Sequence, residues 1–261
     1  MKSYQLPTFL ALTLALLFSL SASAQISVKV QDSIAEPADF LALDALDHIY
    51  FVKSVAIKKV TPQRTYNFAD FLNGRITSID VSNPLNVMVF YKDTQKIVFL
   101  DNRLNEIRSI DLNTIDGFFD HAARADERNV YLHDATSNEV VVYDYAFAKA
   151  ITKTIPYKRE ILDLIADYNF FYVLQEDRVL RFNNYGSQTH TFKTPGALRI
   201  GVTDDLLIYQ SPDGFYALDI PTEKVTRLQV KEKQASGFFL SPQFLYIYGL
   251  FNRVKYQIIT D

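Results

Sequence analysis

Carboxylates are the residues of this chain best placed to do chemistry. Asp39, Asp80, Asp120 (followed directly by His121) and Asp163 recur along it, each at or beside a short apolar run, and Arg199 takes the corresponding place once more. Gathered at one point, such side chains would suit a hard cation such as Ca²⁺, which takes six to eight oxygen ligands, or a cationic ligand. They would equally serve as a hydrated polar lining, with Arg199 balancing charge. The four histidines, His48, His121, His133 and His190, are widely spaced and form no metal-ligand motif, so zinc is not expected. His48 stands where other segments carry Asn or Asp at a turn. His133 stands where another segment carries Lys92, which points it to solvent. There is no Gly-rich phosphate loop, no Gly-x-Ser-x-Gly elbow and no recognisable catalytic carboxylate pair. Asn73-Gly74 and Asp213-Gly214 read as turn dipeptides. No catalytic residue is assigned.

The elements that must position these residues are hairpins. Arg128 to Asp144 (RNVYLHDATSNEVVVYD) has two short apolar runs around a turn-forming cluster, the pattern of a β-hairpin. The pattern occurs six times, with leading runs that begin at Ile49, Val87, Val130, Phe170, Leu206 and Phe244, about forty residues apart. The second run ends at Asp101, Asp144, Asn183 and Asp219 in the second to fifth copies, which makes these turn residues. A further alternating run opens five residues later, at Glu106, Lys149, Gln188 and Lys224. One more short apolar segment precedes each hairpin, among them Phe40 to Leu43, Ile79 to Val81, Leu162 to Ile165, Leu198 to Val202 and Phe238 to Leu240. Each unit thus holds four strands in meander order. Ile151 to Ile165 could suggest a helix, but Pro156 and the β-branched run argue against one.

Four strands per unit of about forty residues is the blade of a β-propeller. The expected fold is all-β, a six-bladed propeller of four-stranded blades spanning residues 25–261. After Phe244 the chain has only one more run, Val254 to Ile259, so the last blade lacks a strand. Ile26 to Val30 alternates and belongs to no complete unit; it is expected to join the last blade, closing the ring and covering its edges. Phe118-Phe119, Phe170-Phe171, Phe238-Phe239, Tyr246 and Tyr248 are read as filling between blades. Lys58-Lys59 is read as an edge charge.

On repeat period and strand pattern, residues 25–261 resemble six-bladed β-propellers of the NHL/TolB-like kind. The chain has no Trp, so the signature residues of Trp-bearing propeller families are missing. The resemblance implies that the first strand of each blade lines a central channel, which would bring Asp39, Asp80, Asp120, His121, Asp163 and Arg199 to it. It also implies an alternative activity, a metal-dependent hydrolase or lactonase working at the channel mouth; the family's metal-ligand set is not matched residue by residue, and the channel carboxylates Asp80, Asp120 and Asp163 are the candidates to carry it.

Composition bounds the partners. A net charge of −3 without a basic cluster argues against nucleic acid, whose phosphates need clustered Lys and Arg. Residues 1–24 have a positive start at Lys2, an apolar run from Phe9 to Leu20 and Ala22-Ser23-Ala24, the layout of a cleaved signal peptide rather than a membrane span. No cysteine is present, which leaves neither disulfides nor a lipid-modified Cys. The expected protein is periplasmic or secreted. It serves as a non-enzymatic scaffold for a protein partner in the cell envelope, with no cofactor beyond Ca²⁺ in the channel.

Overall fold

Short runs of β-branched and aromatic residues with turn residues between them build strands, and the chain forms little else. The computed structural model describes residues 26–34, 38–203, 205–232, 235–249 and 252–260; the expected signal peptide of residues 1–24 lies outside them. The first strand is β1 (Ile26–Ile34). The first blade is β2 (Phe40–Leu43), β3 (Ile49–Lys53), β4 (Ala56–Val60) and β5 (Thr65–Ala69), and the second is β6 (Ser78–Asp80), β7 (Val87–Tyr91), β8 (Lys96–Leu100) and β9 (Glu106–Asp111). The third comprises β10 (Phe119–Arg124), β11 (Asn129–Asp134), β12 (Glu139–Asp144) and β13 (Lys149–Lys153). The fourth comprises β14 (Asp163–Ala166), β15 (Phe170–Gln175), β16 (Arg178–Asn183) and β17 (Gln188–Lys193). The fifth comprises β18 (Arg199–Val202), β19 (Leu206–Ser211), β20 (Gly214–Asp219) and β21 (Val225–Arg227). The last is β22 (Gly237–Leu240), β23 (Phe244–Tyr248) and β24 (Arg253–Thr260), with β1 as its fourth strand.

All six sheets are antiparallel meanders, and the sixth runs β1-β24-β23-β22. β1 pairs with β24 from Ile26 opposite Thr260 to Ile34 opposite Arg253, with a register shift between Val30 and Asp32. The ring is therefore closed by the N-terminal strand, as the alternation of Ile26 to Val30 predicts. The segment from Ile151 to Ile165 contributes the end of β13, a connection and the start of β14, and no helix. Among the described residues no helix is long and apolar enough to cross a membrane.

Successive residues of a strand point to opposite faces, and here both faces meet a neighbouring blade. In β7, Val87, Val89 and Tyr91 pack with the first blade, while Met88 and Phe90 pack with the third. The buried side chains fall into six clusters, one at each blade-to-blade contact. The smallest, Leu41, Leu43, Tyr246 and Tyr248, lies between the last blade and the first. Most of the aromatic residues expected as filler do fill these contacts, but Phe118 is exposed.

The turns follow from Asx chemistry. Asp101, Asp144 and Asn183 each accept backbone N–H groups from the following residues through their side-chain oxygen: Arg103 and Asn105, Ala146 and Phe147, Tyr185 and Ser187. Asp219 accepts the N–H of Thr222. Lys59 departs from its reading as an edge charge. It shares the inward face of β4 with Ile57, its side chain is buried, and its Nζ lies 3.6 Å from Asp44 Oδ2 and donates to the carbonyl of Asn102 at 3.2 Å.

Candidate functional site

The inner strands β2, β6, β10, β14, β18 and β22 surround a central cavity of about 850 Å³. Its lining includes Asp80, Asp120, His121, Asp163, Arg199 and Tyr248. Strand register sorts the charged residues by depth. Asp163 and Arg199 open β14 and β18, paired with Leu174 and Gln210, and Gly237 opens β22, paired with Tyr248. Asp39 precedes β2, and Asp120 lies near the start of β10. All belong to the end where the chain enters each inner strand from the previous blade; this end is called the mouth.

Asp80 ends β6, opposite Met88, two residues deeper than Ser78. Its carboxylate accepts the Ser82 backbone N–H (2.9 Å) and hydroxyl (2.5 Å) and the Arg124 N–H (3.2 Å), with the Arg124 guanidinium 3.9 Å away. The fold thus separates Asp80 from Asp120 and Asp163 and commits it to Arg124. Asp39 is likewise held, by the Ser54 N–H (2.9 Å) and the Arg75 guanidinium (3.4 Å).

Asp120, His121 and a histidine from the next strand do come together. The pairing of β10 with β11 slips between Phe119 and His121, leaving Asp120 in a bulge; bulges re-aim side chains beside functional sites. Asp120 Oδ1 lies 2.8 Å from His121 Nδ1 and 2.5 Å from His133 Nδ1. His133 is therefore not at solvent: it is buried on β11, directly opposite His121. The signal for this was present, since a strand with an apolar run on both faces leaves a His within it inside. Its Nε2 faces Asn138 Oδ1 at 2.9 Å. Asn138 in turn donates from Nδ2 to the carbonyls of Tyr157 (2.7 Å) and Arg159 (3.1 Å).

The approach to the bulge is clamped from both sides. Gln95 pairs with Phe119 like a ladder partner, accepting its N–H at 2.8 Å and donating to its carbonyl at 2.6 Å. The Asp134 carboxylate accepts the Phe118 N–H at 3.1 Å. Gly117 has φ +130°, and a Cβ there would stand 2.9 Å from that carboxylate, so the close approach requires glycine.

The electrostatics are those of a shared, enclosed cluster. Burial opposes ionisation of Asp120, but the hydrogen bonds and charges of His121 and His133 outweigh it and hold the carboxyl well below the usual range. Burial likewise opposes protonation of His121; the Asp120 hydrogen bond and charge, the Asp163 charge and the Leu162 backbone overcome it and raise its pKa. Asp163 is half-buried on the cavity wall, and desolvation raises its pKa despite His121, Arg199 and the N–H groups of Ile200 and Leu164. Burial pushes the Tyr248 phenol up to about 12, with Arg199 and Asp163 acting on it in opposite directions. Arg199 itself is exposed at the mouth. Around the mouth, the loops that lead from one blade to the next expose Phe71, Leu72, Phe118, Ile155, Leu162 and Leu198.

No known family matches the sequence, and no curated protein matches it. Solved structures do match. Virginiamycin B lyase from Staphylococcus aureus aligns with a TM-score of 0.59 at 11% identity, over 84% of this chain and 80% of that one. The extracellular domain of the one-component system BT4673 from B. thetaiotaomicron aligns at 0.60 and 13% identity, over 84% of this chain and 33% of that one. PorZ, a bacterial surface component of the type-IX secretion system of Porphyromonas gingivalis, aligns at 0.55 and 14% identity, over 85% of this chain and 32% of that one. The chain spans about a third of the length of the last two. At these identities the likeness is one of fold: a six-bladed β-propeller.

Proposed function

We propose that the protein is an exported binding propeller of the cell envelope. In this reading residues 1–24 are a cleaved signal, residues 25–261 are one propeller domain, and the mouth face engages a protein partner. The observation that carries it is the composition of that face: a charged mouth ringed by exposed Phe71, Leu72, Phe118, Ile155, Leu162 and Leu198. Exposed apolar groups around a polar centre mark interaction sites. The opposite face also exposes apolar side chains, at the tips of separate turns, and there Arg128 and Lys149 lie over the Phe147 ring. Fold neighbours on the bacterial surface support the compartment. A photo-crosslinking residue placed at position 72 or 198 in cells is expected to capture one partner, and the same residue at position 185 on the opposite face is expected to capture none. Capture from position 185 alone, or from neither face, would overturn the assignment.

Hydrolysis at the mouth is a second reading, favoured by one observation. Asp163 and His121 both line the cavity, and burial there raises the Asp163 pKa, the kind of environment that makes a general acid. Turnover of a lactone or ester panel that disappears in Asp163→Asn would support it; no turnover by the wild-type protein would eliminate it.

A further inference from the structure

The Asp120–His121–His133 cluster asks what lies between its atoms. Asn138 cannot be turned over, because its amide nitrogen is used by two backbone carbonyls; the atom facing His133 Nε2 is its oxygen, which only accepts. His133 therefore carries a proton on Nε2, and its Nδ1 meets Asp120 either through a second ring proton or as a lone pair that a metal ion can take. His121 Nδ1 faces the same Asp120 oxygen, and its ring also hydrogen-bonds the Leu162 backbone. Two imidazole nitrogens and a carboxylate oxygen thus lie within 4.8 Å of one another, held by ring protons that a metal ion can replace.

We infer that these three atoms are the protein ligands of a divalent transition-metal ion of the zinc class, bound at the mouth of the cavity. Two nitrogens and one oxygen form a borderline donor set of the type Zn²⁺ takes, with a fourth position open to the cavity. A histidine ligand normally gives its second N–H to a fixed carbonyl or carboxylate, and Asn138 and Leu162 supply those partners here. Ligand atoms around a tetrahedral Zn²⁺ sit roughly 3.4 Å apart, so loading opens the two short contacts by under about 1 Å. Ca²⁺ is the wrong ion for this cluster, because only one of its three ligands is oxygen. The site goes beyond the partner-binding reading and does not depend on it.

The test uses the mature chain without a histidine tag, stripped with chelator and titrated with Zn²⁺ by calorimetry, with metal content measured after dialysis. The expected result is one ion per chain, lost in Asp120→Asn and His133→Gln and unchanged in His190→Gln, whose ring bonds Glu223 elsewhere. Asn138→Ala is expected to weaken binding by roughly ten- to a hundredfold. Co²⁺ in place of Zn²⁺ should give the visible absorption of a four-coordinate site, and equimolar Ca²⁺ should not displace it. Should His133→Gln fail to fold, His121→Gln, on the cavity wall, carries the same expectation. No stoichiometric binding by the wild-type protein, or equal affinity in the folded ligand variants, would overturn the inference.

Discussion

Lys59 and Asp44 form a pair whose two members should respond very differently to removal. Asp44 is supported from several directions: its carboxylate accepts the Leu46 and His48 N–H groups, the Tyr50 hydroxyl at 2.9 Å and the His48 ring at 3.0 Å. Lys59 has Asp44, one carbonyl and the Tyr50 ring. Taking away one partner of a buried ion pair strands the other charge at a cost of about 3–5 kcal/mol. Asp44→Ala should lose about that much by urea unfolding, because it also strands the turn amides. Lys59→Met, which keeps the stem and removes the charge, should cost less than Asp44→Ala, because Asp44 keeps its bonds to Leu46, His48 and Tyr50. Burial works against the Asp44 anion, but the hydrogen bonds from His48, Leu46 and Tyr50 prevail and hold its pKa below the ordinary 3.8. Its stabilisation is therefore complete above that value and lost as pH falls through the folded-state pKa. The stability gap between wild type and Asp44→Asn should be constant from pH 5 to 7 and shrink below pH 3.8. Lys59 was within reach of sequence reasoning, since alternation in AIKKV puts it on the Ile57 face; its partner, nearer the start of the hairpin, was not.

At the level of elements, the bulge in β10 matters most, because it brings Asp120 to His133. Its geometry depends on Gly117, Gln95 and Asp134, which come from three different segments. Gly117→Ala should destabilise by about 1–3 kcal/mol, from backbone strain at positive φ and the clash with Asp134; thermal unfolding would measure it. Gln95→Leu removes a buried amide that satisfies both polar groups of Phe119, so it should cost a similar amount. It should also weaken any ligand held by Asp120 more than the loss of stability alone would. The strands themselves were legible: all six hairpins begin within one residue of the apolar runs that announce them. Their partners across the channel were not, because repeat spacing says which residues share a level but not which side chains turn toward one another. Asp80 shows the limit: it recurs in step with the other carboxylates, yet a two-residue difference in depth gives it to Arg124.

For the whole molecule, the ring is as strong as its closing blade. β1 covers the outer edge of β24, and without it that edge would offer unpaired backbone groups to other chains. A protein beginning at residue 35 should elute as aggregates in size-exclusion chromatography, and a synthetic peptide of residues 26–34 should restore the monomer. The same variant with Lys or Pro on the exposed edge should aggregate less. That the ring has six blades and closes through its N-terminal strand was readable from period and from the unpaired run at Ile26. The metal-type cluster was not, because it joins neighbouring strands of one blade with a loop amide, and no spacing between histidines encodes that.

The pairing of Ile26 with Thr260 also sets a clock. β1 is synthesised first and finds its partner last, across more than two hundred intervening residues, so it must wait, uncommitted, while every other blade forms. Joining such distant segments is slow. Once made, the joint holds the first and last residues of the fold in one sheet, so fraying at either end must first break that sheet. The protein should therefore be slow to assemble and slower to come apart, with its lifetime set at the seam between its two ends.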